Sequence, residues 1–303
     1  MNEDSDDIAA RRAAALRANQ RCYDGLVAAQ APLCRPASDS ELADPLGTLD
    51  PIGWLGGSVK GKRLLCLAAG GGRQSVLYAT AGAIVTVVDI SPAMLELDRQ
   101  MAHRRGLQLR LVQASMDRLE MFENESFDVI VHPVSTCYVP DVFPVFRGVG
   151  RILCQGGIYI SQHKSPISLQ ASHQRDATSC YRIEHEYYRR EPIPSSTVAS
   201  PASGRLRERG AIEYLHRLEQ LIGGICRSGM VVEDFVEPLH VDEEMPANTF
   251  ADRARFIAPY LRIKARRAGR PSGMAGSGGP SGMGGMGGGS DGPIRSGSII
   301  LPS

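Results

Sequence analysis

The chain has 303 residues, 43% apolar and 22% charged, with a formal net charge of +1. This length and composition suit one large globular domain with appendages. The charge balance excludes any global electrostatic case for a nucleic-acid partner or an acidic membrane surface, and leans towards a small-molecule substrate.

The N-terminal "MNEDSDDIAARRAAALRANQ" is acidic and then amphipathic, without the apolar core of a signal peptide. No uninterrupted apolar run is long enough to span a membrane, so the expected location is cytoplasmic. Residues 8–30 read as a helix. A connector containing "ADPLGTLDPIGWLGG" follows, and then the texture changes. "RLLCLA" reads as a strand, "RQSVLYATAG" as a helix ended by Gly82, "AIVTVVDI" as a strand and "SPAMLELDRQMAHRRG" as a helix that Ser91 can cap and Pro92 can start. "LQLRLVQAS" and "FDVIVHPV" are two more strands, "VFPVFRGVGRIL" a helix and "GGIYISQH" a further strand. Near-continuous β-branched runs alternating with helices imply a doubly wound α/β fold, its parallel sheet covered on both faces.

Residues 164–210 break this rhythm with "EPIPSSTVASPASGRLRERG" and read as an insertion or lid. "IEYLHRLEQLIGGICRSG" then reads as a helix, "MVVEDFVEP" as a strand and "YLRIKARR" as a last, antiparallel strand. From Ala268 the chain is Gly/Ser/Met-rich, the composition of a disordered tail. Seven scattered cysteines (22, 34, 66, 137, 154, 180 and 226) show no zinc-type spacing, and their odd number suits no secreted disulfide framework. They read as reduced thiols, and no metal site is expected.

The chemistry begins at "LLCLAAGGGRQS", where a strand enters Gly70-Gly71-Gly72 ahead of a helix. Such a turn lets backbone N–H groups and the helix start approach a ligand closely. Asp89, at the end of the next strand and 17 residues after Gly72, can accept two hydrogen bonds from the hydroxyls of an adenosine ribose. Together the two features predict an adenosyl or dinucleotide cofactor, and they fit a nicotinamide-dependent oxidoreductase as well as a methyltransferase.

The order of "LLCLAAGGGRQSVLYATAGAIVTVVDISPAMLELDRQ", "NESFDVIVHPVSTCYVPD" and "VFRGVGRILCQGGIYIS" resembles the class I S-adenosylmethionine-dependent methyltransferases of the type 11 family. The likeness runs through residues 62–163 and, less closely, 211–266. It implies a mostly parallel, seven-stranded Rossmann-like sheet over residues 62–267, and with the readings above the chain divides into an N-terminal helical cap over 1–61, this domain and a disordered tail over 268–303. It also implies S-adenosyl-L-methionine as cofactor and methyl transfer to a small-molecule acceptor. Ala68, Ala69, Gly70, Gly71 and Gly72 would pass beneath the methionine part, Asp89 would hold the ribose and Ile90 would pack on the adenine. Ser115 and Met116 fall at the adenine site. His132, at the end of the fourth strand, would line the site of transfer.

His132, Tyr138 and His163 are the candidates for acid–base work, should the acceptor have to lose a proton. The resemblance makes the segment "DPIGWLGG" with Trp54 a candidate cover over the cofactor, while hydrophobic packing explains a lone Trp equally well. The sequence departs from the family at Cys66, where the first strand usually carries an acid, at Ala68 in place of the first loop glycine, and at Ser115 in place of the adenine-binding acid, for which Asp117 could substitute. The rival oxidoreductase would need a catalytic Tyr-Lys arrangement or a second glycine-rich turn, and neither is found. A non-catalytic binding protein of this fold is the other alternative. Oligomeric state is not legible.

Overall fold

The computed structural model describes residues 3–194, 206–242 and 244–269. The expected tail beyond residue 269, and part of the Pro/Ser-rich insertion, lie outside them. Seven strands form one sheet: β1 (Arg63–Leu67), β2 (Ile84–Asp89), β3 (Leu109–Gln113), β4 (Phe127–His132), β5 (Leu153–Lys164), β6 (Met230–Val236) and β7 (Tyr260–Arg267). Their order is β3-β2-β1-β4-β5-β7-β6, and only β7 runs antiparallel to its neighbours. This is the doubly wound, Rossmann-like arrangement that the strand–helix alternation implied.

The helices are α1 (Glu3–Ala28), α2 (Asp39–Ala43), α3 (Pro45–Leu49), α4 (Gln74–Thr80), α5 (Pro92–Arg104), α6 (Phe143–Ile152), α7 (Pro166–Gln170), α8 (Leu218–Arg227) and α9 (Phe250–Ala254). Ser91 caps α5 by accepting from the Met94 N–H, and Pro92 occupies its first turn. The sheet separates two apolar layers, and β1 feeds both because successive side chains of a strand point to opposite faces. Leu65 and Leu67 join the layer containing Phe146 of α6, whereas Leu64 and Cys66 join the layer containing Leu77 and Tyr78 of α4. None of the described helices is long and apolar enough to cross a membrane.

One reading of the sequence is corrected, and one left open is decided. Residues 211–217 are not helical, and the helix there is confined to α8. The backbone of 211–217 is held from outside: the Tyr214 N–H donates to the Cys137 carbonyl at 2.7 Å and the Glu213 carbonyl accepts from Ile193 at 2.7 Å. His216 therefore lies in an extended run, its Nε2 3.0 Å from the carbonyls of Thr136 and Val139. Trp54 is the second. It is buried against the sheet and donates its indole N–H to Asp234 at 2.8 Å, so it packs in the core and does not line the cleft described below.

Candidate active site

In an open α/β sheet the ligand crevice forms at the carboxyl ends of the strands, where the strand order reverses. Here that point lies between β1 and β4, and a cleft opens there. Its floor is the turn after β1. Ala68 takes the left-handed conformation (φ +50°) that a glycine would adopt without strain, and its N–H donates to the Val88 carbonyl at 2.7 Å. At Gly70 a Cβ would lie 2.8 Å from the Met94 Cβ and 3.0 Å from Asp89 Oδ2, so only glycine lets α5 and Asp89 close on the turn.

The turn's amides were expected to face the ligand, and the structure gives them to carboxylates. Gly70 N–H donates to Asp89 Oδ2 (2.9 Å), and Gly71 and Gly72 donate to the two oxygens of Asp98 (3.0 and 3.1 Å). Ser75 completes the Asp98 cage with a short hydroxyl bond. Asp98, on α5, is fully buried, and burial pushes its carboxyl up to about 7 against the opposing pull of these donors. No motif singled it out, since it lies in the middle of an unremarkable amphipathic helix.

Asp89 keeps capacity for a ligand. One of its oxygens accepts from Gly70, the other from the Ser91 N–H at 2.9 Å, and a carboxylate offers about four lone-pair sites. Asp89, Ile90, Ser115 and Met116 all border the cleft. Asp117 does not border it. It pairs with Arg12 of α1 (2.7 Å to Nη2) and accepts from Ser115 Oγ at 2.5 Å.

Arg12 belongs to a cover over the cleft that comes from α1 and not from the Trp54 segment. Arg12, Leu16, Asn19 and Tyr23 recur every three or four residues, so one face of α1 lines the cleft. Asn19 fastens it, accepting from the Ile212 N–H at 2.7 Å and donating to the Ile212 carbonyl at 3.1 Å. At the helix end, Asp24 accepts from Ser91 Oγ at 2.6 Å.

Of the three acid–base candidates only Tyr138 reaches the cleft. His132 is fully buried, with Nδ1 2.7 Å from the Tyr159 hydroxyl and Nε2 2.7 Å from Ser135 Oγ. Burial alone lowers its imidazole to about 3. His163 is equally enclosed, 2.8 Å from both Thr136 Oγ1 and Ser161 Oγ, and burial holds it well below the usual histidine range. Both rings pack towards Tyr159 and Phe146 behind the cleft wall, so the expectation that they face the site is corrected.

The sequence reading did not single out the groups that sit beside Tyr138. Its hydroxyl donates to Glu208 Oε2 at 2.6 Å and receives the Tyr23 hydroxyl at 2.8 Å. Lys164, at the end of β5, reaches Glu208 at 3.4 Å and Glu213 at 2.6 Å, and Arg207 holds the other Glu213 oxygen at 2.9 Å. Lys164 is buried and stays charged, because the two glutamates outweigh the burial that would lower it. Glu208 retains 17% exposure and borders the cleft. Burial raises its carboxyl, but Lys164 and the Tyr138 hydroxyl bring it below the ordinary glutamate range.

Comparison with known proteins gives this arrangement its class. Residues 65–161 match the model of a methyltransferase domain. An uncharacterized methyltransferase, YbaJ, of Bacillus subtilis is 38% identical over 181 residues, covering 59% of this chain and 69% of its own. The ubiquinone biosynthesis O-methyltransferase of Nitrosococcus oceani is 35% identical over 100 residues, 33% of this chain and 42% of that one. The fold resembles a crystal structure of an S-adenosylmethionine-dependent methyltransferase from Mesorhizobium loti (TM-score 0.57, 22% identity, 69% of this chain and 93% of that). It also resembles geranyl diphosphate C-methyltransferase from Streptomyces coelicolor, solved with Mg2+, geranyl diphosphate and S-adenosyl-L-homocysteine (TM-score 0.51, 15% identity, 76% and 79%).

The fold and cleft are those of a class I methyltransferase. The chain belongs to the S-adenosylmethionine-dependent methyltransferase family, and S-adenosyl-L-methionine is its cofactor. Its residues suit that molecule: beside the glycine turn, Arg73 Nη1 and Gln74 Oε1 are buried without a hydrogen-bond partner, one a donor and the other an acceptor. The oxidoreductase alternative and the non-catalytic one are set aside by the family.

Proposed function

We propose that the protein methylates a small molecule bearing an ionisable hydroxyl, with Glu208 as the group that receives the acceptor's proton. When bound, S-adenosylmethionine supplies an electrophilic methyl group, so the chain has to orient the acceptor, exclude water and handle one proton. In this reading Asp89 holds the ribose, Ile90 and Met116 wall the adenine, and Ser115 bonds its edge. The turn from Ala68 to Gly72 gives the methionyl part room to lie against the backbone.

The observation that carries the proposal is the ionised Glu208 carboxylate inside the covered cleft, 2.6 Å from the Tyr138 hydroxyl. Its lowered pKa keeps it a base at neutral pH. Tyr138 and Tyr23 form a line of hydroxyls from that carboxylate to the cover helix, so a hydroxyl entering there meets hydrogen-bond acceptors for its proton. That a relative is named as an O-methyltransferase points the same way.

The test is transfer of a radiolabelled methyl group from S-adenosylmethionine into an extract of the cells that make the protein. Label should enter the low-molecular-mass fraction, and Glu208→Gln should lower that transfer about 100-fold or more while S-adenosylhomocysteine still binds. Label confined to protein or nucleic acid would sink the small-acceptor reading. Undiminished transfer by the variant would remove Glu208 from it.

A further inference from the structure

We infer that Arg73 and Gln74 clamp the methionyl end of the cofactor, the guanidinium taking its carboxylate and the Gln74 carboxamide oxygen taking its ammonium. The inference rests on the cofactor placement proposed above, with the ribose at Asp89.

Three observations lead to it. First, the amides of the glycine turn are already committed, Gly70 to Asp89 and Gly71 and Gly72 to Asp98, so another group must meet the charged end of the cofactor. Cys66, buried beneath the turn with its thiol pushed up by burial, brings no charge. Second, Arg73 and Gln74 both line this end of the cleft, and each holds one buried polar atom without a partner: Nη1, which only donates, and Oε1, which only accepts. Buried polar atoms are nearly always paired, so an orphaned donor and an orphaned acceptor on consecutive residues of the cleft wall mark the footprint of something that binds. A zwitterionic amino acid matches that footprint, since its carboxylate only accepts and its ammonium only donates.

Third, the guanidinium is held in place from its other side. Nη2 and Nε reach Glu41 Oε1 at 2.5 and 3.1 Å, and Glu41 closes the capping box of α2 through Ser38. The α2 segment before β1 thereby orients the clamp while Nη1 stays free for a ligand. A guanidinium offers five donors, so sharing between Glu41 and a second carboxylate is within its reach.

The test uses calorimetry on the full chain with three probes: S-adenosylhomocysteine, 5′-methylthioadenosine, which lacks the amino-acid end, and the desamino analogue of S-adenosylhomocysteine. Arg73→Met should weaken S-adenosylhomocysteine by about tenfold or more and leave 5′-methylthioadenosine unchanged. Gln74→Met, which spares the Arg73–Glu41 pair, should weaken S-adenosylhomocysteine and leave the desamino analogue unchanged.

The clamp is overturned if either variant binds S-adenosylhomocysteine as tightly as the parent, or if Gln74→Met loses all three probes in parallel. A failure of the cofactor placement looks different, because Asp89→Ala would then leave 5′-methylthioadenosine binding untouched.

Discussion

The carboxylate of Asp98 lies 3.0 Å from the backbone nitrogen of Gly71, joining the middle of α5 to the glycine turn 27 residues earlier. The same carboxylate takes Gly72 and Ser75 and is sealed from solvent. The replacement of the first-strand acid by Cys66 finds its account here. The turn is held by a carboxylate from the helix, and the strand position is released to the apolar layer with Leu77 and Tyr78.

Asp98 should leave a mark on stability against pH. Its carboxyl titrates near 7 in the fold, with Asp89 and the Cys66 thiol as its nearest titratable neighbours, and near 4 in an unfolded chain. The folded state therefore holds the proton more tightly. Its contribution is fully present below about pH 4 and is lost as pH rises towards about 7, with no further change above. Asp98→Asn should flatten the fall in melting temperature between those pH values, compared with the parent chain in the same buffers. Parallel profiles for the two proteins would contradict the assignment.

Arg12 and Asp117 give the opposite sign. Burial would raise the Asp117 carboxyl, but its bonds to Arg12 and Ser115 bring it below the ordinary range. That stabilisation is present above the unfolded pKa and is lost as pH falls through the folded one. Arg12→Gln leaves a carboxylate with 5% side-chain exposure beside no cation, and should cost about 2 kcal/mol at neutral pH. Urea unfolding measures the loss, and hydrogen exchange should show faster opening of α1. Unaltered exchange there would mean that the pair does not fasten the cover.

The imidazoles of His132 and His163 should not titrate between about pH 5 and 8. Both are enclosed and hydrogen-bonded at both ring nitrogens, and burial holds both low. Nitrogen-15 spectra of labelled histidine read this directly. A mid-range titration of either ring would return it to the list of acid–base candidates.

Asp89→Ala should weaken S-adenosylhomocysteine by about 1–3 kcal/mol through loss of a charged acceptor. Because Asp89 also holds Gly70 and Ser91, the melting temperature should be measured alongside. Affinity equal to that of the parent would move the ribose elsewhere.

The residues along β1 to β5 told the truth about themselves in the sequence, because local periodicity and turn chemistry decide where those elements lie. Asp89 was legible for the same reason, at the end of a readable strand and at a spacing that places it beside the glycine turn. The contacts that complete the site join distant residues. Tyr23 meets Tyr138 across 115 positions and Asn19 meets Ile212 across 193, and neither pairing leaves a pattern in the chain. Glu208 lay in a Pro/Ser-rich stretch whose composition suggested only a lid. His132 misled because strand position says which end of the sheet a residue occupies, whereas its side chain turns towards Tyr159 and away from the cleft.

A crystal structure of the S-adenosylhomocysteine complex tests the central claim most directly. The account predicts the ribose hydroxyls on Asp89, the adenine between Ile90 and Met116, and the sulfur facing the space beside Tyr138 and Glu208. A ribose bound away from Asp89, or a sulfur separated from Glu208 by intervening protein, would contradict it.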